Sequence, residues 1–110
     1  MIYLTNSFSL AALGGARKIV QFQPITRRMV MQVLEDNPDF VPFIKNEDIA
    51  RVFTSELKTV VQFEKHKKGF SLEFGDTMLV GQLQGILPMG SRELPKGIGL
   101  QWWMVNVANI

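Results

Sequence analysis

Ile2-Tyr3-Leu4-Thr5-Asn6-Ser7-Phe8-Ser9 is the segment that orients every other part of this chain. An apolar strand, Ile2 to Leu4, runs straight into Thr5, Asn6, Ser7 and Ser9, a cluster of hydrogen-bonding side chains at its carboxyl end. In open α/β sheets that edge is where ligands bind. The segment therefore predicts both a buried strand and a candidate ligand loop. Asn6, Ser7 and Ser9 also have a purely local reading as caps for a short helix that follows. The two readings are compatible, because free amides at a helix N-terminus suit a phosphate.

Working outward, the periodicity predicts a mixed α/β order in a single domain, 1–110. Ser9 opens a short helical turn through Ala11, Ala12 and Leu13 that Gly14 and Gly15 end. Lys18 to Gln23 has strand composition, and Pro24 stops it. Thr26 is placed to cap a helix from Arg27 to Glu35, with Met29, Val30, Val33 and Leu34 on one face. The polar run Glu35 to Asp39 breaks that helix. A second helix begins after Asn46, which caps it. Glu47 and Asp48 suit the positive helix end, and Ile49, Val52, Phe53 and Leu57 form the apolar stripe. Thr59 to Phe63 reads as a short strand, and Phe70 to Leu83 as an antiparallel hairpin turning at Gly75-Asp76. Ile86 to Gly99 carries two prolines and three glycines and reads as a loop. Gln101 to Val107 then closes the sheet, with Trp102 and Trp103 on opposite faces.

Composition bounds the function. At 110 residues and 46% hydrophobic, the chain can bury a real core and still gains by self-association. Twelve Lys and Arg against ten Asp and Glu leave a net charge of +2. That surplus is too small for a protein that coats long nucleic acid through many phosphate contacts. The absence of cysteine rules out disulfides and thiolate chemistry, which fits a cytoplasmic location. No signal-like segment and no long apolar run is present, so no membrane association is expected.

Standard catalytic signatures are missing. With one histidine and no cysteine, a Cys-His dyad is excluded and a serine triad has to use His66. The string GSRELPKGIG lacks the ending of a phosphate-binding P-loop. His66, flanked by Lys65, Lys67 and Lys68, reads most simply as a solvated residue. The alternative is a base kept neutral by the neighbouring positive charge, with the lysines projecting over a pocket to neutralise ligand phosphates. Trp102 and Trp103 read as core or interface residues, with base stacking as the alternative for one of them. No metal or cofactor is expected.

The opening YLTNSFSL, the acid-headed helix in FIKNEDIARVFTSEL, the hairpin-like FSLEFGDTMLVGQL and the glycine-containing loop after it together resemble the small viral ring nucleases. These are type III anti-CRISPR proteins that bind and destroy cyclic tetra-adenylate. The resemblance covers nearly the whole chain. It implies an α/β (α+β) fold: a mixed sheet of about five strands with helices packed on one side. It also implies a two-fold dimer that encloses its ligand between subunits. By position, Asn6 and Ser9 correspond to ligand contacts of the first loop, with Ser7 between them. Gln82 falls where the family has a hydrogen-bonding glutamine, with Gln84 beside it, and Lys67 lies near a basic residue that approaches the ligand.

The chain departs from the family where cleavage chemistry sits. A segment like IGHE is replaced by Ile44-Lys45-Asn46-Glu47, so Asn46 stands in place of the general acid. A loop close to GRLPEG reads Gly85-Ile86-Leu87-Pro88-Met89-Gly90, so Ile86 and Met89 replace an arginine and a glutamate. Losing the proton donor costs roughly 10²–10⁴ in rate, and losing charge stabilisation roughly a further 10²–10³. The expectation is a phage or mobile-element protein, in the cytoplasm of an infected or host bacterial cell, that sequesters a nucleotide immune signal without cleaving it. Its ligand-binding residues are then Asn6, Ser7, Ser9, Asn46, Lys67, Gln82, Gln84, Ile86 and Met89. The expected partners are a small nucleotide signalling molecule and a second copy, as a homodimer or higher even oligomer. The alternatives are a ring nuclease in which His66 or Lys45 transfers the proton, and a protein-interaction module with a vestigial pocket.

Overall fold

The computed structural model describes residues 1–8, 18–64 and 72–109. In chain order the elements are β1 (Ile2–Thr5), β2 (Lys18–Ile25), α1 (Arg27–Asp36), β3 (Val41–Phe43), α2 (Glu47–Leu57), β4 (Thr77–Gln84) and β5 (Gly99–Asn109). The strands form one mixed sheet in the order β2-β5-β4-β1-β3. Around β1 the pairing is parallel, to β3 on one side and β4 on the other, with Thr5 opposite both Phe43 and Val80. From β4 through β5 to β2 it is antiparallel, with Val80 opposite Trp103 and Phe22 opposite Val105.

Strand alternation divides the side chains between two faces. Leu4, Leu79 and Trp102 pack under both helices, against Val30 and Leu34 of α1 and Ala50, Phe53 and Leu57 of α2. Both helices therefore lie on one side. The opposite face carries Tyr3, Met78, Val80, Trp103, Val105 and Val107, and among the described residues it is met only by loop side chains, Phe8 and Leu72. The two tryptophans point to opposite faces, as adjacent strand residues must.

Local signals set the helix limits. The Thr26 hydroxyl accepts from the Met29 amide at 3.2 Å, and α1 runs one residue past Glu35 to Asp36 before Asn37 closes it. The Asn46 side chain accepts from the Ile49 amide at 3.0 Å. Lys58 ends α2 in a left-handed conformation, φ 52°.

Four expectations about strands are corrected. Pro24 does not end β2, which continues to Ile25 with Pro24 opposite Trp103. The strand lies at the sheet edge, where a missing N–H does not break the ladder. Thr59 to Phe63 is not a strand. Val61 instead donates its amide to Thr54 Oγ1 at 3.0 Å and buries its side chain, while the Glu64 amide donates to the Ile44 carbonyl at 2.9 Å. The hairpin preceding β4 is also absent among the described residues, because β1 and β5 already occupy both edges of β4. Its turn is real, with Gly75 at φ 89° and the Asp76 amide donating to the Glu73 carbonyl at 3.0 Å. Finally, Val41–Phe43 forms the edge strand β3, for which no strand was expected. The turn expected to open at Ser9 lies outside the described residues.

Candidate functional site

The carboxyl end of β1 is shaped by Thr5. Its buried hydroxyl donates to the Ser7 carbonyl at 3.1 Å and accepts from the Ser7 amide at 3.4 Å. This closed turn is the local arrangement that Ser and Thr hydroxyls offer the backbone in place of a ladder. It holds Asn6 beyond the sheet edge. Across the parallel pairing lies Val80, and two residues on, along the same face, is Gln82. On the other side of β4, Trp103 and Val105 of β5 continue that face, and Phe22 of β2 extends it. Phe8 meets Phe22 edge to face, with ring centroids 5.3 Å apart.

Together Asn6, Ser7, Phe8, Phe22, Val80, Gln82, Trp103 and Val105 enclose a groove of about 500 Å³. Its walls are aromatic and aliphatic, and the polar side-chain groups of its lining residues are two amides, a hydroxyl and an indole N–H. Apolar walls with a few placed polar groups are the usual make-up of a small-molecule site. The Trp103 indole Nε1 donates to Gln82 Oε1 at 3.2 Å. None of these lining residues is ionisable near neutral pH, so they can bind and orient a planar molecule but cannot hand it a proton.

Of the residues singled out in the sequence, Asn6, Ser7 and Gln82 are brought together here. Ser9, His66 and Lys67 lie outside the described residues. Asn46 is exposed and occupied in capping α2, and the groove lining does not include it. Gln84 is exposed at the end of β4. Ile86 and Met89 stand on the surface with 91% and 98% of their area open. The loop that carries them is pinned to the first turn of α2. There Asp48 Oδ2 accepts from the Gly90 amide at 3.0 Å, and Arg51 Nε donates to the Ser91 carbonyl at 3.5 Å. The Lys45 ammonium sits 5.6 Å from the centroid of the Phe43 ring.

Phe8, Phe22, Val80 and Val105 were not singled out in the sequence. One signal pointed toward Phe22: an aromatic with glutamine on either side in a strand places its ring on a different face from the polar neighbours. A second hollow of about 370 Å³ lies beside α2, lined by Glu47, Arg51, Thr54, Ser55, Phe63 and Arg92 among others. Its Arg51 is already paired with Glu47 at 3.0 Å and with Asp48, so it offers little free positive charge to an anion.

No protein-family model matches the sequence, and no curated protein matches it. A solved structure does. The fold is that of B116 of Sulfolobus turreted icosahedral virus. The two superpose with a TM-score of 0.77 over 96% of this chain and 97% of the viral one, at 16% identity. At that identity the likeness is one of fold. It covers both molecules almost entirely, so the architecture is shared as a whole. Among the described residues, no group of three or more His, Cys, Asp or Glu could hold a metal ion, and no helix is long and apolar enough to cross a membrane.

Proposed function

We propose that this chain binds a small nucleotide signal in the groove beside β1 and holds it uncleaved, acting for a phage or mobile element against a host defence. The observation that carries the reading is the groove itself. Trp103, Phe22 and Phe8 supply aromatic surface for a base, Asn6 and Gln82 supply amides for its edge, and no described lining residue is an acid or base. The resemblance of the opening loop to ring nucleases, and a fold shared with a viral protein, support the viral assignment. By the resemblance, Asn46 replaces the ring nucleases' proton donor, and here it caps α2 outside the groove lining, so it hands no proton to a ligand there, which supports retention over turnover. Sequestration removes one molecule per site, so it requires tight binding, with a dissociation constant near nanomolar, about −12 kcal/mol. An enclosed pocket shared by two subunits, as in the ring nucleases, fits that requirement.

The test has two stages. A thermal-shift screen across cyclic oligoadenylates, cyclic dinucleotides and ADP-ribose derivatives identifies the ligand, because a molecule bound only by the folded state raises the melting temperature. Mass spectrometry after incubation with excess ligand and denaturation should then return it intact. More than one equivalent of hydrolysed product per site, lost on His66→Ala, makes the protein an enzyme instead. A second reading, a protein-interaction module, is favoured by the exposed Ile86 and Met89 on an anchored loop. It predicts no shift with any nucleotide.

A further inference from the structure

The contact between Trp103 and Gln82 has a direction. An indole N–H can only donate, so the carbonyl oxygen of Gln82 faces Trp103, and the amide nitrogen with its two protons is turned the other way. Gln101, directly opposite Gln82 in the ladder, turns its own Nε2 to the Trp102 carbonyl, donating at 2.9 Å. Trp103 and Gln82 both line the groove. A glutamine without such a partner can turn its amide over and present either an acceptor or a donor. Here one of the two orientations is selected.

Resting on the nucleotide reading of the groove, we infer that Trp103 is a positioning residue that sets the groove's polarity. It holds Gln82 so that the site presents a fixed N–H donor and selects an uncharged planar heterocycle through an acceptor edge, a ring nitrogen or a carbonyl. A molecule presenting only a donor at that edge leaves two donors opposed, and that mismatch discriminates against it. The hydrogen bond is weak while water reaches it. It gains weight when a ligand covers the pair and excludes solvent.

The probes are the uncharged nucleosides adenosine, guanosine, cytidine and uridine, titrated at up to millimolar concentration. In the free protein, proton–nitrogen correlation spectra of Gln82→Ala should show the Trp103 indole resonance displaced and that of Trp102 unmoved. Gln82→Glu keeps an acceptor for the indole but removes the donor, and its exposed position makes it safe for folding. It should weaken the best nucleoside about tenfold, the loss expected for one buried hydrogen-bond donor left out. A neutral probe removes charge repulsion, and the uncharged Gln82→Met should show the same loss, so that desolvation of the new carboxylate is not its cause. Trp103→Phe keeps a ring and removes the N–H, and its effect should be non-additive with Gln82→Ala in a double-mutant cycle. An unmoved indole resonance, unchanged affinity in Gln82→Glu, or additive losses each overturn the inference. A wild-type protein that binds nucleotides but no nucleoside overturns it alone, since recognition then rests on phosphate. One that binds neither overturns the nucleotide reading with it.

Discussion

Gly81 shows how tightly single positions are constrained. A glycine inside a strand costs backbone entropy and packs nothing, so its place in β4 needs a cause. The cause is the tilted pair of Phe53 and Trp102, with centroids 4.9 Å apart, which crosses directly over it. A Cβ at Gly81 would lie 2.5 Å from Phe53 Cζ and 2.6 Å from Trp102 Cζ3. Both rings are buried, so neither can swing into solvent. Gly81→Ala should destabilise the fold by about 1–3 kcal/mol through overpacking, seen as a lower urea midpoint with the slope unchanged. Tyr3 makes a different prediction. Burial, and after it the carboxylates of Asp76 and Glu73, raise its phenol above the usual 10.0. The folded state therefore holds this proton more tightly than the unfolded chain does. The stability it contributes is complete below the unfolded value and is lost as pH rises through the folded one. Tyr3 is the only tyrosine, so absorbance titration reports it directly. The phenolate midpoint should exceed 10 in the native protein and fall back in urea, and Tyr3→Phe should lose melting temperature less steeply above pH 10.

At the scale of elements, the first turn of α2 serves two purposes. Asn46 caps it, and Asp48 reaches both Arg51 within the helix and the Gly90 amide in the loop before β5. The loop closes on itself through the Ser91 hydroxyl, which donates to the Pro88 carbonyl at 2.6 Å. Asn46→Ala should cost about 1 kcal/mol of stability, the usual value of a lost cap. The affinity for whichever nucleotide the screen returns should not change, and a parallel loss of binding would assign Asn46 to the site after all. Asp48→Ala should speed hydrogen exchange at the Gly90 amide while leaving the amides in the middle of α2 protected. Both caps could be read in the sequence, because Thr26 and Asn46 each precede an apolar stripe at helical spacing. The loop anchor could not, since Asp48 and Gly90 are separated by 42 positions and nothing local pairs them.

For the whole molecule, the asymmetry between the two sheet faces governs what to expect. One face is covered by α1 and α2, while the other carries the groove and exposes Phe22 to 54%. A chain of this size gains core by pairing, and a two-fold arrangement is the commonest way to do so. Sedimentation equilibrium at micromolar concentration should find a dimer, and a well-behaved monomer would remove the shared-pocket component of the proposal. Asn6→Ala should weaken nucleotide binding by about 1–3 kcal/mol through an unpaired polar partner, with little change in melting temperature.

The amino-acid order alone determined the local features: the first strand and its polar end, both helices and their caps, the turn at Gly75, the loop after β4, and the opposite facing of Trp102 and Trp103. Each depends on neighbours within about four residues, where propensity, capping and alternation act. Strand partnership followed a different logic. FSLEF beside MLVGQL reads as a hairpin, yet both edges of β4 are taken by distant strands, β5 with a ladder running from Thr77 to Gln84 and β1 with the buried Leu4 and Thr5. The three-residue β3 is too short to carry a periodic signal and exists because β1 had an edge to fill. The groove is likewise a tertiary product. Asn6, Phe22, Gln82 and Trp103 come from four separate segments, and it was the sheet order β2-β5-β4-β1 that set them side by side.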